Sequence, residues 1–115
     1  MNDKLLDPVT PGEILCDDFM KPMGININQL ARDIAVTSDR ISDIVNGKQG
    51  ITADIALRLE RYFGVEARFW LNLQSEYDLR IMKRKIGTDI ERRIIPIQRI
   101  PMEVPSPSGN FRRDL

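Results

Sequence analysis

Apolar residues recur every three or four positions in five segments of the chain, a spacing that predicts five amphipathic helices. Four segments begin at a residue whose side chain typically caps a helix, namely Thr10, Asn26, Thr37 and Thr52. Glu13 follows Thr10 at the distance of a capping box, and Pro11 suits the first helical position. The fifth helix is predicted to begin near Glu66.

Glycine and proline indicate where these helices end. Gly24, Gly47 and Gly64 are predicted stops, and the fifth helix is expected to fray around residues 86–87. Four prolines lie beyond residue 95 and forbid further helix. Residues 94–97 then form either an edge strand or a segment that orders only against a partner, before a flexible tail. The predicted division is a helical domain over 8–86 and an irregular extension over 87–115.

Residues 26–48 predict two short helices joined by a turn of about three residues. Apolar residues fall where two crossing helices must touch: Leu30, Ala31, Ile34, Val36, Ile41 and Ile44. Ala31 is small enough to let the two backbones approach. This pattern is typical of a helix-turn-helix, which places its second helix in the major groove of DNA. It also fits an ordinary pair of packed helices.

If the third helix recognises DNA, its outward side is the candidate contact surface. The predicted contact residues are Gln29, Thr37, Ser38, Asp39, Arg40, Ser42, Asp43, Asn46 and Lys48. Arg40 is the best candidate for base recognition, because its guanidinium matches the paired acceptors of guanine. Asn46, Lys48 and the backbone amides near Gly47 suit phosphate contacts. Asp39 is expected mainly to stabilise the third helix, because an acidic side chain in the first turn interacts favourably with the positive end of the helix dipole.

Composition excludes several classes of function. The 115 residues contain no His and one Cys, Cys16. Without His, a nucleophile activated by a Ser-His or Cys-His pair cannot be built. A single Cys excludes an internal disulfide or a Cys-based metal site within one chain. Asp17 and Asp18 face different sides of a helix and have no third ligand at metal-binding spacing. We therefore expect no enzyme, no cofactor and no metal.

The net charge is zero, but its distribution is uneven. From residue 79 onward nine basic residues oppose four acidic ones, so this part carries +5 and the first 78 residues carry −5. Such asymmetry fits either a segment that binds a partner or nucleic acid, or a solvated tail. No apolar run is long enough to span a membrane and no signal peptide begins the chain, so a cytoplasmic location is expected.

The predicted fifth helix carries a large apolar surface formed by Phe69, Trp70, Leu73 and Tyr77. Such a stripe is usually core. Phe69 and Trp70 point about 100° apart on a helix, so both are not expected in one core. Part of this helix is therefore predicted to form the contact of a homodimer. A two-fold dimer would set two recognition helices about 34 Å apart, which matches successive major grooves.

Several ordered motifs resemble the HigA-type antitoxins, a branch of the Cro/C1-type helix-turn-helix proteins. They are PGEIL at 11–15 with Phe19 and Pro22, RISDIVNGK at 40–48, GITAD at 50–54, ALRL at 56–59, YFG at 62–64, FWLNLQ at 69–74 and YDL at 77–79. The resemblance covers about residues 8–85. It implies an all-α, five-helix, lambda-repressor-like domain that dimerises and represses its own operon at operator DNA. It also implies neutralisation of a HigB-type toxin, an mRNA endonuclease.

The chain departs from this family pattern at three places. Ile27 opens the second helix where a polar, phosphate-binding residue is usual, a role that Gln29 takes over in part. Ala35 occupies the turn where Gly is usual, which requires either a different backbone or tolerated strain. The fifth helix begins with Val65-Glu66-Ala67 instead of a Ser/Thr-Pro start. A stand-alone regulator and a protein-binding module without DNA function are the alternatives, the latter favoured by Ile27 and by the acidic third helix.

Overall fold

A computed structural model of the chain describes residues 8–97. The first helix, α1, spans Pro11–Ile14 and continues without a break as a π-helical segment over Leu15–Met20. It is followed by α2 (Ile27–Asp33), α3 (Ser38–Val45), α4 (Ala53–Phe63) and α5 (Ala67–Arg93). No strand occurs among residues 8–97. The expected all-α, five-helix architecture is therefore confirmed.

All four predicted caps form. The side-chain oxygens of Thr10, Asn26, Thr37 and Thr52 each accept a hydrogen bond from the backbone amide three residues further along, at 2.8–3.3 Å. Glu13 accepts a hydrogen bond from the backbone amide of Thr10 in return, which completes the capping box. Because each cap satisfies an otherwise unpaired amide, the helix starts are fixed by local chemistry.

The core lies where α1, α2 and α3 meet α4 and α5. Seven large side chains are fully buried there: Leu15, Leu30, Ile41, Ile44, Ile55, Leu59 and Trp70. The backbone of α1 passes directly over the last turn of α3. A Cβ atom added to Gly12 would lie 1.8 Å from the carbonyl oxygen of Ile44, so only Gly fits this crossing. The C-terminal end of α3 is thereby held from behind.

Trp70 belongs to this core and not to a subunit contact. It is fully buried, and its ring packs 4.7 Å from that of Phe19 and 6.2 Å from that of Phe63 between centroids. Phe69 lies at the edge of the same cluster and is partly exposed. The prediction that Trp70 contributes to a dimer contact is corrected, because a side chain with no exposed surface has none to offer a second subunit.

Helix α5 is longer than the sequence pattern predicts. It passes through residues 86–87 and ends at Arg93, so the boundary drawn between 86 and 87 falls inside a helix. Gly87 costs only about 1 kcal/mol relative to Ala in a helix, and neighbouring Lys and Arg residues favour helix. Asp89 supports the last turn by accepting hydrogen bonds from Arg92 and Arg93. Residues 94–97 form no strand, which removes that prediction; the rest of the tail lies outside the described residues.

The turn between α2 and α3 contains a strained backbone. Ala35 has φ of +60°, the only non-glycine residue with positive φ in the described part of the chain. A Cβ atom in this left-handed region costs roughly 1–2 kcal/mol. The Nη1 group of Arg58 on α4 donates to the carbonyl oxygens of Ile34 and Ala35, at 2.8 and 3.2 Å. Arg58 thus holds the turn in its strained conformation.

Replacing Ala35 with Gly is expected to stabilise the protein by about 0.5–1 kcal/mol, because relief of strain outweighs the extra entropy of the unfolded chain. The free energy of unfolding in urea measures this change. Ala53→Gly, at the helical start of α4, is the matched control and should destabilise the protein. A less stable Ala35→Gly variant would contradict the account of the turn.

Candidate nucleic-acid interface

Packing fixes which side of α3 faces solvent. Ile41 and Ile44 are buried against α2 and the rest of the core, and Val45 is partly buried. Asp39 and Asn46, on the opposite side of the helix, are exposed, while Ser42 and Asp43 are half-buried beside them. The structure therefore presents the outward face of α3 that the sequence predicts.

The first turns of α2 and α3 meet at one surface. The hydroxyl of Ser38 donates to the Oδ1 atom of Asn28, at 2.8 Å. A shallow groove follows this contact, with Asn26, Ile27 and Asn28 on one side and Ser38, Asp39 and Ser42 on the other. Met20 and Ile25 line its apolar part. Polar donors and acceptors therefore border an apolar strip along the start of α3.

Asn28 is a candidate contact residue that the sequence analysis missed. Its amide bonds to Ser38, whereas Gln29, the expected substitute for a polar first residue, does not line the groove. Gln29 instead lies at the hydroxyl of Tyr62, whose pKa is raised by its 2.6 Å hydrogen bond to Asp33 and lowered to a smaller extent by Gln29. The missed signal was the position of Asn28 in the first turn of α2, next to the start of α3.

Two predicted contact residues, Thr37 and Asp43, also stabilise the two ends of α3. The Oγ1 atom of Thr37 accepts the amide of Arg40 as the N-cap. After the helix, the backbone amides of Lys48 and Gln49 both donate to the carbonyl oxygen of Asp43. Because these amides are already paired, the expected backbone contacts to phosphate near Gly47 are not available without breaking the helix end. The exposed side chains of Asn46 and Lys48 remain for that role.

The loop between α3 and α4 is anchored to α5. The amide of Ile51 donates to the Oε1 atom of Gln74, at 2.7 Å, and the other end of that side chain donates to Asp78. Gly50 lies so close to Gln74 that an added Cβ would come within 2.8 Å of the amide carbon. The segment that follows Lys48 is thus positioned by side-chain contacts with α5.

Arg40 leans toward α4 and does not extend straight from α3. Its Nη2 atom lies 3.3 Å from Oδ2 of Asp54 and 3.4 Å from Oγ1 of Thr52, and its side chain is 34% exposed. The Nε atom of Arg58 donates to the other oxygen of Asp54, at 2.8 Å. Arg58 is the main reason, with a smaller part from Arg40, that the pKa of the Asp54 carboxyl lies below its usual value. Asp54 is therefore ionised at neutral pH and placed between two arginines.

The interface carries charges of both signs. Arg40 and Lys48 are balanced by Asp39 and Asp43 on the same helix and loop. Within residues 8–97, no group of three or more acidic or Cys side chains is placed to hold a metal ion. No helix in that part of the chain is both long and apolar enough to cross a membrane. The surface offers hydrogen-bonding side chains with weak net charge.

Several known proteins are similar to this chain in both sequence and fold. A family model described as helix-turn-helix matches residues 18–70. Virulence-associated protein I of Dichelobacter nodosus is 49% identical over 76 residues, covering 66% of this chain and 70% of that protein. Antitoxin HigA-1 of Vibrio cholerae is 39% identical over 72 residues, covering 63% of this chain and 68% of that protein. The family model thus reaches from the end of the first helical segment to the first turn of α5.

A solved structure extends the comparison to three dimensions. The Pseudomonas aeruginosa antitoxin HigA, determined with the higBA promoter, superposes with a TM-score of 0.77 at 45% sequence identity. The similarity covers 79% of this chain and 99% of that one. The arrangement of α2, the turn and α3 is thus shared with a protein whose structure contains DNA.

Proposed function

The chain belongs to the helix-turn-helix family, in the branch of the HigA antitoxins, and from this membership we propose that it binds operator DNA through α3 and neutralises a partner toxin. The carrying observation is the orientation of α3. Burial of Ile41 and Ile44 leaves its opposite side open to solvent, next to the groove at the start of α2. The protein acts in the cytoplasm, where operator DNA is found, and works by binding without catalysis.

On DNA, phosphate contacts position the protein and base contacts give selectivity. Lys48 and Asn46 are exposed at the end of α3, where they contact the phosphate backbone of the DNA. Asn28 and Ser38 border the protein groove at the start of α3. Arg40 is the candidate for contact with a guanine edge. Asp39 and Asp43 repel phosphate, so one copy binds weakly and a second copy is needed on the operator.

We expect the protein to bind the DNA upstream of its own gene more tightly than a shuffled duplex of equal length. Arg40→Ala should lose about 1–3 kcal/mol on the upstream DNA and much less on the shuffled one. Fluorescence anisotropy over a range of salt concentrations measures both, and log affinity should fall by about 0.9 per log unit of salt for each neutralised phosphate.

Arg68→Ala, at the exposed start of α5, is the matched control and should leave selectivity unchanged. Equal losses on both duplexes for Arg40→Ala would contradict the base-recognition role. No preference of the wild-type protein for the upstream DNA would instead favour a protein-binding module without DNA function.

The antitoxin half of the proposal rests on similarity to HigA-1 and to HigA, which are named antitoxins. A HigB-type toxin is the corresponding partner. The negative charge of the first 78 residues suits a basic protein, since opposite charges favour association.

We expect the product of the neighbouring reading frame, if it is a small basic protein, to copurify with this chain and to arrest growth when expressed alone. Coexpression of this chain should restore growth, and affinity purification should recover the complex. A neighbouring product that neither arrests growth nor copurifies would contradict the antitoxin role and leave a stand-alone regulator.

We also propose a homodimer, with its contact further along α5 than the sequence predicts. Leu73 and Tyr77 are partly buried on the side of α5 that faces the core. On the opposite side, further along the helix, a stripe of apolar side chains is 39–66% exposed, consisting of Leu79, Met82, Ile86 and Ile90. These residues are spaced by three or four positions and therefore share one face. A second copy that packs on this stripe would remove it from water.

Ile86→Glu should weaken the dimer, because it places a charge in the proposed apolar contact while leaving the core of the monomer intact. Sedimentation velocity over a concentration series measures the change. Thr88→Glu, an exposed position on another side of α5, is the control and should remain dimeric. Dimerisation unaffected by Ile86→Glu would return the contact to the region of Phe69.

A further inference from the structure

We propose that Asp54 positions Arg40 for base recognition and thereby sets the selectivity of DNA binding. The inference rests on the proposed DNA-binding function and deepens it by assigning a role to a residue of α4. Its basis is the juxtaposition of the Arg40 guanidinium with the Asp54 carboxylate and the Thr52 hydroxyl, at 3.3 and 3.4 Å. Asp54 itself lies on α4 and is not one of the predicted contact residues of α3.

Asp54 is held in place by a second arginine, Arg58. Its Oδ1 atom receives a 2.8 Å hydrogen bond from Nε of Arg58. The same guanidinium donates through Nη1 to the carbonyl oxygens of Ile34 and Ala35 in the turn before α3. The carboxylate is therefore tied through Arg58 to the backbone of the helix-turn-helix, and its position is set by the fold.

Arg40 needs such support because of its place on α3. Ile41 faces the core, and Arg40 lies beside it on the flank toward α4, whereas Asp39 is fully on the solvent side. A long, flexible side chain loses rotamer entropy when it is fixed against a base. Contact with Asp54 restricts the side chain before DNA arrives. A guanidinium has five donors, so it can keep the Asp54 contact while it donates to a base edge.

Loss of the Asp54 charge should therefore change selectivity more than affinity. Without the carboxylate, Arg40 samples more orientations and binds its base less well. At the same time, removal of a negative charge near the interface favours binding to any DNA, because phosphate is repelled less. The first effect lowers affinity only for the duplex that contains the recognised base, whereas the second raises affinity for both duplexes, so the ratio of the two affinities falls. A purely structural role of Asp54 would not produce this signature.

The test is Asp54→Asn, which keeps an oxygen able to accept from Arg58 but removes the charge that attracts Arg40. Affinities are measured for the DNA upstream of the gene and for a shuffled duplex of the same length. We expect the ratio of the two affinities to fall about tenfold, within the range for one bidentate base contact. Shuffled DNA should bind as tightly as before or more tightly.

The matched control is Asp89→Asn. Asp89 also lies between two arginines, Arg92 and Arg93, but at the far end of α5, so its loss makes the same charge change away from the interface. We expect this variant to keep the wild-type ratio. Thermal unfolding of each variant shows that the fold is retained.

The Arg40→Ala background completes the test. In a protein that already carries Arg40→Ala, Asp54→Asn should not lower the ratio of the two DNA affinities any further, because Asp54 acts through Arg40 and that side chain is absent. An unchanged ratio in the single variant, or an equal fall with and without Arg40, would overturn the positioning role. Wild-type protein that does not distinguish the two duplexes would instead overturn the proposed function, so the two failures are separate.

Discussion

The burial of Ile41 and Ile44 is the constraint on which the rest of the structure depends. These two side chains fix the rotation of α3 about its own axis, and so decide which residues reach solvent. Gly12 of α1 packs against the carbonyl of Ile44 from behind, at a distance that admits no side chain. Because α3 is held at its core face and at its last turn, the orientation of its outward residues is fixed relative to the core.

A second layer of polar contacts joins the turn to the candidate interface. Arg58 binds the carbonyl oxygens of the strained turn at Ala35 and also binds Asp54, which in turn contacts Arg40. The chain of contacts links the conformation of the turn to the orientation of an arginine on the recognition helix. Strain at Ala35 is thus tolerated within an arrangement that also sets the orientation of the Arg40 side chain.

Local signals predicted most of the fold. Caps such as Thr37 and Thr52 depend on neighbours three residues away, so the sequence contains all the information they need. The burial of Trp70 depends on rings from α1 and α4, and the lean of Arg40 depends on Asp54, so neither follows from spacing along one helix. Helix α5 continues past Gly87 to Arg93 because the Lys, Arg and Ile residues around it form helix well enough to offset the cost of one glycine.

The outward side of α3, together with the start of α2, is the surface that we propose meets DNA. The most direct measurement is the change in backbone amide NMR shifts when the DNA upstream of the gene is added. A DNA-binding role of this surface predicts the largest changes at Asn28, Ser38, Arg40 and Asn46, with little change beyond residue 79. Changes confined to the C-terminal half of α5, with α3 unaffected, would contradict it.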